Sequence, residues 1–443
     1  MNNFFFYCIS LLIIYAPIPL GANRIWASST IEFFIFTLFI FHIFSALKSN
    51  KTFLPPLYSF VVILPLGITA LWLLVQITPG LGTFFGRSFS TISFDPSLTH
   101  IMFLKTFALM LFAWLIAYYV DTKAIVNRMA LVILASGLLQ ALYASWLSFN
   151  TDLSSPIFNI PYTVRAVGSF VYHNQLANYL ALCLSIGIGV LISQLSLKKS
   201  SSRMRHRIRD VASILLSNKI LMRIGLIIMI IALILTQSRM GNSAFFFALA
   251  VISIFAFFFY NRRPKYLRHL ILSFFIIDLI IVGAFFDLHK VGQRLSETSL
   301  SSETRDEVVR DSVQMIFDYP ILGSGGGSFY SSFSQYQLEP YSGFYDHAHN
   351  DYVQFSIELG VPITLLLGVM VLYCLFLSIK TMIKRKTPLY QGVSFGCAVA
   401  ITHMLLHSTV DFSLQSPAVA LLFVSILLLA VIASNLKTVS LKT

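Results

Sequence analysis

The chain has 443 residues, of which 57% are hydrophobic and 11% are charged, and its mean hydropathy is +0.79. Globular proteins carry about 25% charged residues, so this composition excludes a soluble domain. Apolar stretches of about 20 residues, enough to cross the hydrocarbon core of a bilayer, recur along the whole chain. The expected fold class is therefore all-α, a polytopic membrane protein.

Twelve transmembrane helices are predicted, at residues 4–20, 31–47, 57–76, 101–120, 125–148, 176–195, 220–237, 243–260, 267–286, 353–378, 390–409 and 417–435. Most of the 31 Lys and Arg fall in loops on one side of these spans, and basic loops are the cytoplasmic ones. Both termini are therefore predicted to be cytoplasmic, in a bacterial inner membrane. Topology explains the net charge of +13, so membrane lipids are expected partners and nucleic acid is not.

The first apolar run is interpreted as a span and not as a signal peptide, because Met1 to Leu20 contains no Lys or Arg. The cysteines all lie inside predicted spans without metal-binding spacing: Cys8, Cys183, Cys374 and Cys397. Neither a disulfide framework nor a metal site is expected, and no cofactor is implied.

One long polar segment divides the chain into three predicted regions. Spans one to nine occupy residues 1–286, a large periplasmic loop occupies 287–352, and spans ten to twelve occupy 353–443. Within the loop, residues 303–317 have one apolar and one charged face, which predicts an amphipathic helix on the membrane surface or over a cavity. The glycine run that follows, residues 323–327, lacks the Gly-Lys-Ser/Thr ending of a nucleotide-binding loop. It predicts a turn whose backbone closely approaches another loop or a substrate phosphate.

Two arginines lie on the side that carries few basic residues, namely Arg165 and Arg239. A planar guanidinium can donate two hydrogen bonds to phosphate oxygens, so both are candidates for binding a diphosphate. The alternative is an arginine at a helix end that extends its charge into the interface.

The sequence from Asp346 to Tyr352 concentrates ionisable side chains where the loop meets span ten. A histidine of near-neutral pKa beside a carboxylate or amide suits a general base for a sugar hydroxyl. Two alternatives remain open: a metal site at His347 and His349, and a helix cap formed by Asn350 and Asp351.

Two further groups of polar residues lie within predicted spans. His403 and His407 are four residues apart, with Asp411 one turn further, so they share a helix face that either packs between helices or lines a cavity. Asp278 in span nine is an intramembrane carboxylate and a functional candidate without an assigned partner.

Several of these segments, in this order, resemble the O-antigen ligase/polymerase superfamily of bacterial membrane glycosyltransferases. They are Pro17–Trp26, Arg165–Tyr179, Ser238-Arg239, Glu303–Phe329, His347–Gly360 and His407–Phe412. The most specific is the His349-Asn350 pair, which precedes Gly360 by nine intervening residues. The segments that begin at Gly360 and at Arg239 depart from the pattern of many ligases, which favours a polymerase.

The resemblance implies a fold similar to that of membrane glycosyltransferases of the GT-C type and an undecaprenyl-diphosphate-linked glycan as donor. It implies metal-independent transfer with inversion to a sugar hydroxyl on the periplasmic face. The residues implied to bind the diphosphate are Arg165, Arg239 and Arg305. The implied catalytic residues are His349, Asn350 and Asp351, with His347, Asn174, His407 and Asp411 in support. A chain-length regulator is a further candidate partner.

Four functions are compatible with the sequence. Polymerisation of lipid-linked repeat units into O-antigen, capsule or exopolysaccharide is the first expectation. Ligation of the glycan to lipid A–core is the second, and protein O-glycosylation is the third. The fourth is of a different class, a glycan-lipid transporter, which is disfavoured because the two halves of the chain differ.

Overall fold

The computed structural model describes residues 2–150, 154–159, 165–194, 218–259, 305–338 and 345–436. Within these residues the regular elements are helices and no strand is present, which confirms the all-α fold class. Numbered along the described residues, the α-helices are α1 (Asn2–Tyr15), α2 (Ile25–Lys48), α3 (Phe60–Gln76), α4 (Leu81–Phe84), α5 (Pro96–Tyr119), α6 (Lys123–Phe149), α7 (His173–Ser193), α8 (Asn218–Leu235), α9 (Arg239–Phe259), α10 (Arg305–Asp318), α11 (Phe329–Phe333), α12 (Asp351–Leu359), α13 (Val361–Lys384), α14 (Pro388–His407) and α15 (Pro417–Asn435).

Nine of the described helices are long and apolar enough to cross a membrane: α2, α3 with the short 3-10 turn before it, α5, α6, α7, α9, α13, α14 and α15. Two shorter apolar helices, α1 and α8, coincide with predicted spans one and seven. The chain is therefore a multi-pass membrane protein. Predicted span nine, including Asp278, lies outside the described residues, and so does most of the basic stretch between spans six and seven.

Three helices form the centre of the bundle. The apolar windows of α7, α14 and α15 are 94%, 83% and 89% buried, whereas that of α13 is 22% buried and faces outward. Gly189 on α7 and Gly392 on α14 let these two helices approach closely, because a Cβ on either would lie 2.3 Å from the carbonyl oxygen of the other. This close approach lies near the C-terminus of α7 and the N-terminus of α14, and the opposite ends of the two helices carry residues of the candidate site.

The prediction of one continuous span at 353–378 was wrong. The backbone turns at Gly360, whose φ is +82°, so α12 ends at Leu359 and a separate helix, α13, begins at Val361. Pro362 in the first turn of α13 has no N–H to extend a helix from the preceding residues. A Cβ at Gly360 would lie 2.2 Å from the carbonyl oxygen of Ile321. The break between α12 and α13 therefore packs against the residues just before the glycine run at 323–327, which is called the glycine turn below.

The amphipathic helix predicted at 303–317 is present as α10. It buries Val308 and Met315 in a small second core with Phe329 and Ile357, apart from the main bundle core. Phe317, on the opposite side, is 71% exposed. This helix therefore packs over α12 and presents an apolar side chain outward.

Candidate functional site

The glycine run forms a turn that packs against α12. A Cβ at Gly323 would lie 2.3 Å from the carbonyl oxygen of Glu358 and 2.6 Å from the nitrogen of Gly360. The N–H groups of Ser324 and Gly325 donate to carbonyl oxygens at the end of α12, at 2.7 and 3.0 Å. Of the two interpretations of this turn, close approach to another segment of the chain is therefore confirmed, and these two N–H groups are not available to a phosphate.

Asn350 caps the N-terminus of α12. Its Oδ1 accepts hydrogen bonds from the N–H groups of Tyr352 and Val353, at 3.0 and 3.1 Å, and its Nδ2 donates to the carbonyl oxygen of Thr409 at 2.9 Å. Both ends of the side-chain amide are thus engaged, and the cap joins α12 to the segment after α14.

Asp351 stabilises the same junction, between α12 and the segment after α14, with a buried side chain. Its side chain is 1% exposed, its Oδ2 accepts from Ser408 Oγ at 2.9 Å, and its backbone N–H donates to the carbonyl oxygen of Ser408, also at 2.9 Å. Burial raises the pKa of Asp351 well above its usual value, and the carboxyl groups of Asp411 and Glu358 raise it further. The neutral form of the Asp351 carboxyl is therefore favoured, and a neutral carboxyl suits a structural role more than that of a base.

Phe412 connects the histidine motif, which is the segment Asp346–Tyr352, to the segment before α7. The ring of His347 stacks on Phe412 with centroids 4.3 Å apart, and the ring of His349 meets it edge-on at 4.9 Å. The ring of Tyr172 stacks on the same phenylalanine at 5.6 Å. Three segments that are far apart in the chain therefore converge on one side chain.

Arg165 lies on the Tyr172 side of this cluster. Its Nη1 is 2.9 Å from Nε2 of His173, whose ring meets that of Tyr172 at 4.9 Å. Asn174 donates from Nδ2 to the Tyr172 hydroxyl at 2.7 Å. The arginine is exposed, so its guanidinium can also reach a ligand at this end of the bundle.

Arg239 begins α9 beside the same segment. The N–H of Ala166 donates to the carbonyl oxygen of Leu235 at the end of α8 (3.0 Å), only four residues before Arg239. Ser238 Oγ accepts from the N–H of Gly241 at 3.1 Å and caps the helix. The structure thus brings both predicted arginine segments to one end of the bundle, at the N-terminus of a helix, where anions are favoured.

His347 is held in one tautomer by Gln354. The N–H of Ala348 donates to Gln354 Oε1 at 3.2 Å, which fixes the orientation of the amide, and Gln354 Nε2 then donates to His347 Nδ1 at 3.0 Å. Burial lowers the pKa of His347, although Asp346 raises it in part. The neutral ring therefore carries its proton on Nε2, which makes His347 a hydrogen-bond donor.

His349 has a backbone conformation that L-residues rarely adopt, with φ +51°. Its half-buried ring lies against Tyr345, with centroids 5.6 Å apart, as well as against Phe412. A non-glycine residue in the left-handed region is uncommon, and such residues concentrate at functional sites. This backbone conformation directs the His349 ring into a group of rings, called the aromatic cluster, that also contains Tyr172, Tyr345, His347 and Phe412.

Residues 224–368 match the family model of O-antigen ligase. This match covers about a third of the chain and supports its resemblance to the O-antigen ligase/polymerase superfamily. The matched region includes Arg239, the glycine turn and the histidine motif, which the fold assembles at one end of the bundle. The comparison with curated proteins found no match to the chain.

The matched family implies a glycosyltransferase-like ligase or polymerase activity and lipid-linked glycan substrates, in lipopolysaccharide biosynthesis. Two of the predicted supporting residues, His407 and Asp411, lie at the end of α14 and just after it. His407 is fully buried, and its Nδ1 is 3.1 Å from Asn178 Nδ2 and 3.3 Å from Ser413 Oγ. Asp411 is buried too, and its Oδ1 accepts from the N–H of Phe412 at 2.8 Å.

Arg305 is the first residue of α10, but its side chain lies outside what the structure describes, so its role in binding the donor stays a prediction. Within the described ranges no three His, Cys, Asp or Glu side chains are grouped as metal ligands.

Two residues of the candidate site were not expected from the sequence. Gln354 and Glu358 are four apart on α12, so they share one face, and Gln354 Nε2 donates to Glu358 Oε1 at 3.0 Å. Burial raises the pKa of Glu358 to about 7, although the N–H groups of Gly327 and Phe329 favour its charged form. Their spacing was visible in the sequence, but nothing in it indicated that both are buried beside His347.

Proposed function

We propose that this protein polymerises lipid-linked glycan repeat units. It transfers a growing glycan from undecaprenyl diphosphate to a sugar hydroxyl of a second lipid-linked unit, on the periplasmic face of the inner membrane. The observation that supports this proposal is the convergence on Phe412: the arginine segment reaches it through His173 and Tyr172, and the histidine motif contacts it directly. The candidate diphosphate-binding arginine and the candidate proton acceptor are thereby linked through one set of ring contacts.

The proposed reaction is a single displacement. The acceptor hydroxyl oxygen attacks the anomeric carbon of the donor, the bond from that carbon to the diphosphate oxygen breaks, and the configuration inverts. The hydroxyl proton goes to a histidine, and undecaprenyl diphosphate leaves with one additional negative charge. Arg165 and Arg239, with the N-terminus of α9, stabilise that charge, and the reaction needs no metal or cofactor.

The two histidines have different roles in this proposal. A general base must offer a nitrogen lone pair, but Nδ1 of His347 accepts from Gln354 and its Nε2 carries the proton. We therefore assign the base to His349, and His347 orients the acceptor by donating from Nε2. Asn350 caps α12, and Asp351 accepts from Ser408 at the same end of the helix. Both act on His349 as positioning residues and do not touch the acceptor.

The membrane arrangement follows from the same proposal. The basic loops are cytoplasmic, so the aromatic cluster and both arginines face the periplasm, and both termini face the cytoplasm. The polyprenyl tail of the donor stays in the bilayer, which explains a site at the ends of membrane-spanning helices. We assign the loop at 287–352 to the periplasmic side, between membrane regions 1–286 and 353–443, and a chain-length regulator would bind on that side.

The experiment is an extension reaction with purified full-length protein. An undecaprenyl-diphosphate-linked repeat unit is incubated alone with the protein, and the products are separated on a gel. A ladder is expected, because donor and acceptor are the same molecule, and a His349→Ala variant of equal thermal stability should give none. Movement of the labelled lipid across liposomes without extension would overturn the enzyme proposal in favour of transport.

Ligation is the second candidate, because the matched family model is described as O-antigen ligase. In that case the repeat unit alone gives no ladder, and a product forms only when lipid A–core is added. The same two reactions therefore decide between polymerase and ligase.

A further inference from the structure

A cleft opens between α2, α5 and α15, beside the 3-10 turn Ser413–Gln415. Most of its lining side chains are apolar, but Glu32, Lys105 and Gln415 also face it. The cleft encloses about 50 Å³, which is room for a few water-sized groups.

Two polar groups of this cleft are unsatisfied in the protein alone. Glu32 is 7% exposed, and its Oε1 is buried without a hydrogen-bond partner in the part of the chain that the structure describes. The same holds, among those residues, for Nε2 of Gln415. Buried polar atoms are nearly always hydrogen-bonded in native proteins, so an acceptor and a donor left open in one cleft point to a ligand that supplies both partners.

Lys105 adds a positive charge to the lining of the cleft. Its ammonium group is close enough to interact electrostatically with the carboxyl groups of Glu32 and Glu358, and its charge also acts on His347. Lys105 therefore links the cleft electrostatically to the histidine motif.

The turn that carries Gln415 also connects the two places through the backbone. Phe412, which both histidines contact, is three residues before Gln415. The N–H of Leu414, between them, lies 3.4 Å from Asp351 Oδ2. A ligand beside Gln415 would thus be close in the chain to Phe412, whose ring the histidines and Tyr172 contact.

We propose that this cleft binds hydroxyl groups of the acceptor glycan. A sugar hydroxyl can donate to Glu32 Oε1 and accept from Gln415 Nε2 or Lys105, and a cleft of this size admits hydroxyl or hydroxymethyl groups of a glycan whose ring stays outside it. An isoprenoid chain would leave these polar groups unpaired, and Glu32 would repel a phosphate. The inference rests on the proposed function and adds an acceptor site that shares the turn after α14 with Phe412.

The test measures binding of soluble oligosaccharides, which carry no lipid and no diphosphate. Full-length protein in phosphatidylcholine nanodiscs is titrated with the repeat-unit oligosaccharide released from the lipid carrier, and separately with lipid A–core oligosaccharide. The variants are Glu32→Leu combined with Lys105→Met, which leaves the net charge unchanged, and Gln415→Leu alone. Lys380→Met, at the other end of the bundle, is the matched control, and thermal unfolding reports whether each variant is folded.

We expect the wild type and Lys380→Met to bind the repeat unit equally, and both cleft variants to bind it at least about tenfold more weakly. The double variant should remain folded, because it removes an unsatisfied buried carboxyl. Cleft-dependent binding of core oligosaccharide alone would support the site and assign its ligand to ligation.

Two results would overturn the acceptor site: equal binding by the wild type and the folded cleft variants, or no binding of either oligosaccharide to the wild type. These outcomes are distinct from failure of the proposed function, which is the absence of glycan extension by the wild type. A full ladder from the double variant would refute the cleft and leave the polymerase proposal intact.

Discussion

Replacement of Glu358 by glutamine should change how the stability of the protein depends on pH. The carboxyl group is fully buried in α12, and burial raises its pKa from 4.5 to about 7. In the unfolded chain it ionises near 4.5, so between pH 4.5 and 7 the unfolded state loses a proton that the folded state keeps. The stability that this carboxyl group contributes at low pH is therefore lost as pH rises through that window.

The magnitude follows from the difference between the two pKa values. A shift of about 2.5 units at about 1.4 kcal/mol per unit corresponds to about 3 kcal/mol between pH 4.5 and pH 7. A Glu358→Gln side chain has almost the same shape, its carbonyl oxygen can still accept from Gln354 Nε2, and it has no charge to bury. The variant should thus be more stable than the wild type at pH 8 and similar to it at pH 5.

The assay is thermal unfolding of the purified protein at pH 5 and pH 8. At a few degrees per kcal/mol, the wild type should lose several degrees between the two values relative to Glu358→Gln. Glu307→Gln on α10, at a partly exposed carboxyl, is the matched control and should keep the pH dependence of the wild type. The reasoning is refuted if Glu358→Gln retains that dependence, or if it is the less stable protein at pH 8.

Three other predictions concern activity. Arg165→Ala, Arg239→Ala and His349→Ala should each abolish glycan product in cells at normal protein levels, because they remove diphosphate binding or the base; a full product in the His349→Ala strain would exclude that residue from the mechanism. Gln354→Leu should lower kcat at least about tenfold, because the tautomer of His347 is then no longer fixed, and it should cause no further loss in a His347→Ala background. An additional loss in that background would show that Gln354 acts elsewhere. Treatment with EDTA should leave extension unchanged, and a loss that a divalent ion restores would show that a metal participates.

The local features that depend on a few neighbouring residues could be predicted. Residues 303–317 alternate apolar and charged side chains with helical spacing, and α10 forms there. The break at Gly360 could not be predicted from apolar periodicity, because a single residue with positive φ leaves the hydrophobic pattern of the flanking helices unchanged. The cap at Asn350 was visible as an alternative, and its partners now show that its amide is used there.

The residue pairs that define the site depend on segments far apart in the chain. Arg165, His349 and Phe412 were each in a recognisable motif, but no local pattern indicates that Phe412 joins the other two. The cleft is a stronger example, since Glu32 and Lys105 are on different helices and belong to no motif. Helix packing brought them into one cleft, and packing of side chains from distant segments is not encoded in local periodicity.

The sequence by itself determined that this is an all-α membrane protein and which segments contain the candidate chemistry, because bilayer thickness and charge distribution act on each segment separately. Only the tertiary structure decided which polar groups are available to a substrate. It engages the amide of Asn350, the carboxyl of Asp351 and the N–H groups of Ser324 and Gly325 in hydrogen bonds within the protein. The physical reason is that a hydrogen bond or a desolvated charge depends on the partner that the fold supplies, and those partners come from the ends of helices that meet only in the assembled bundle.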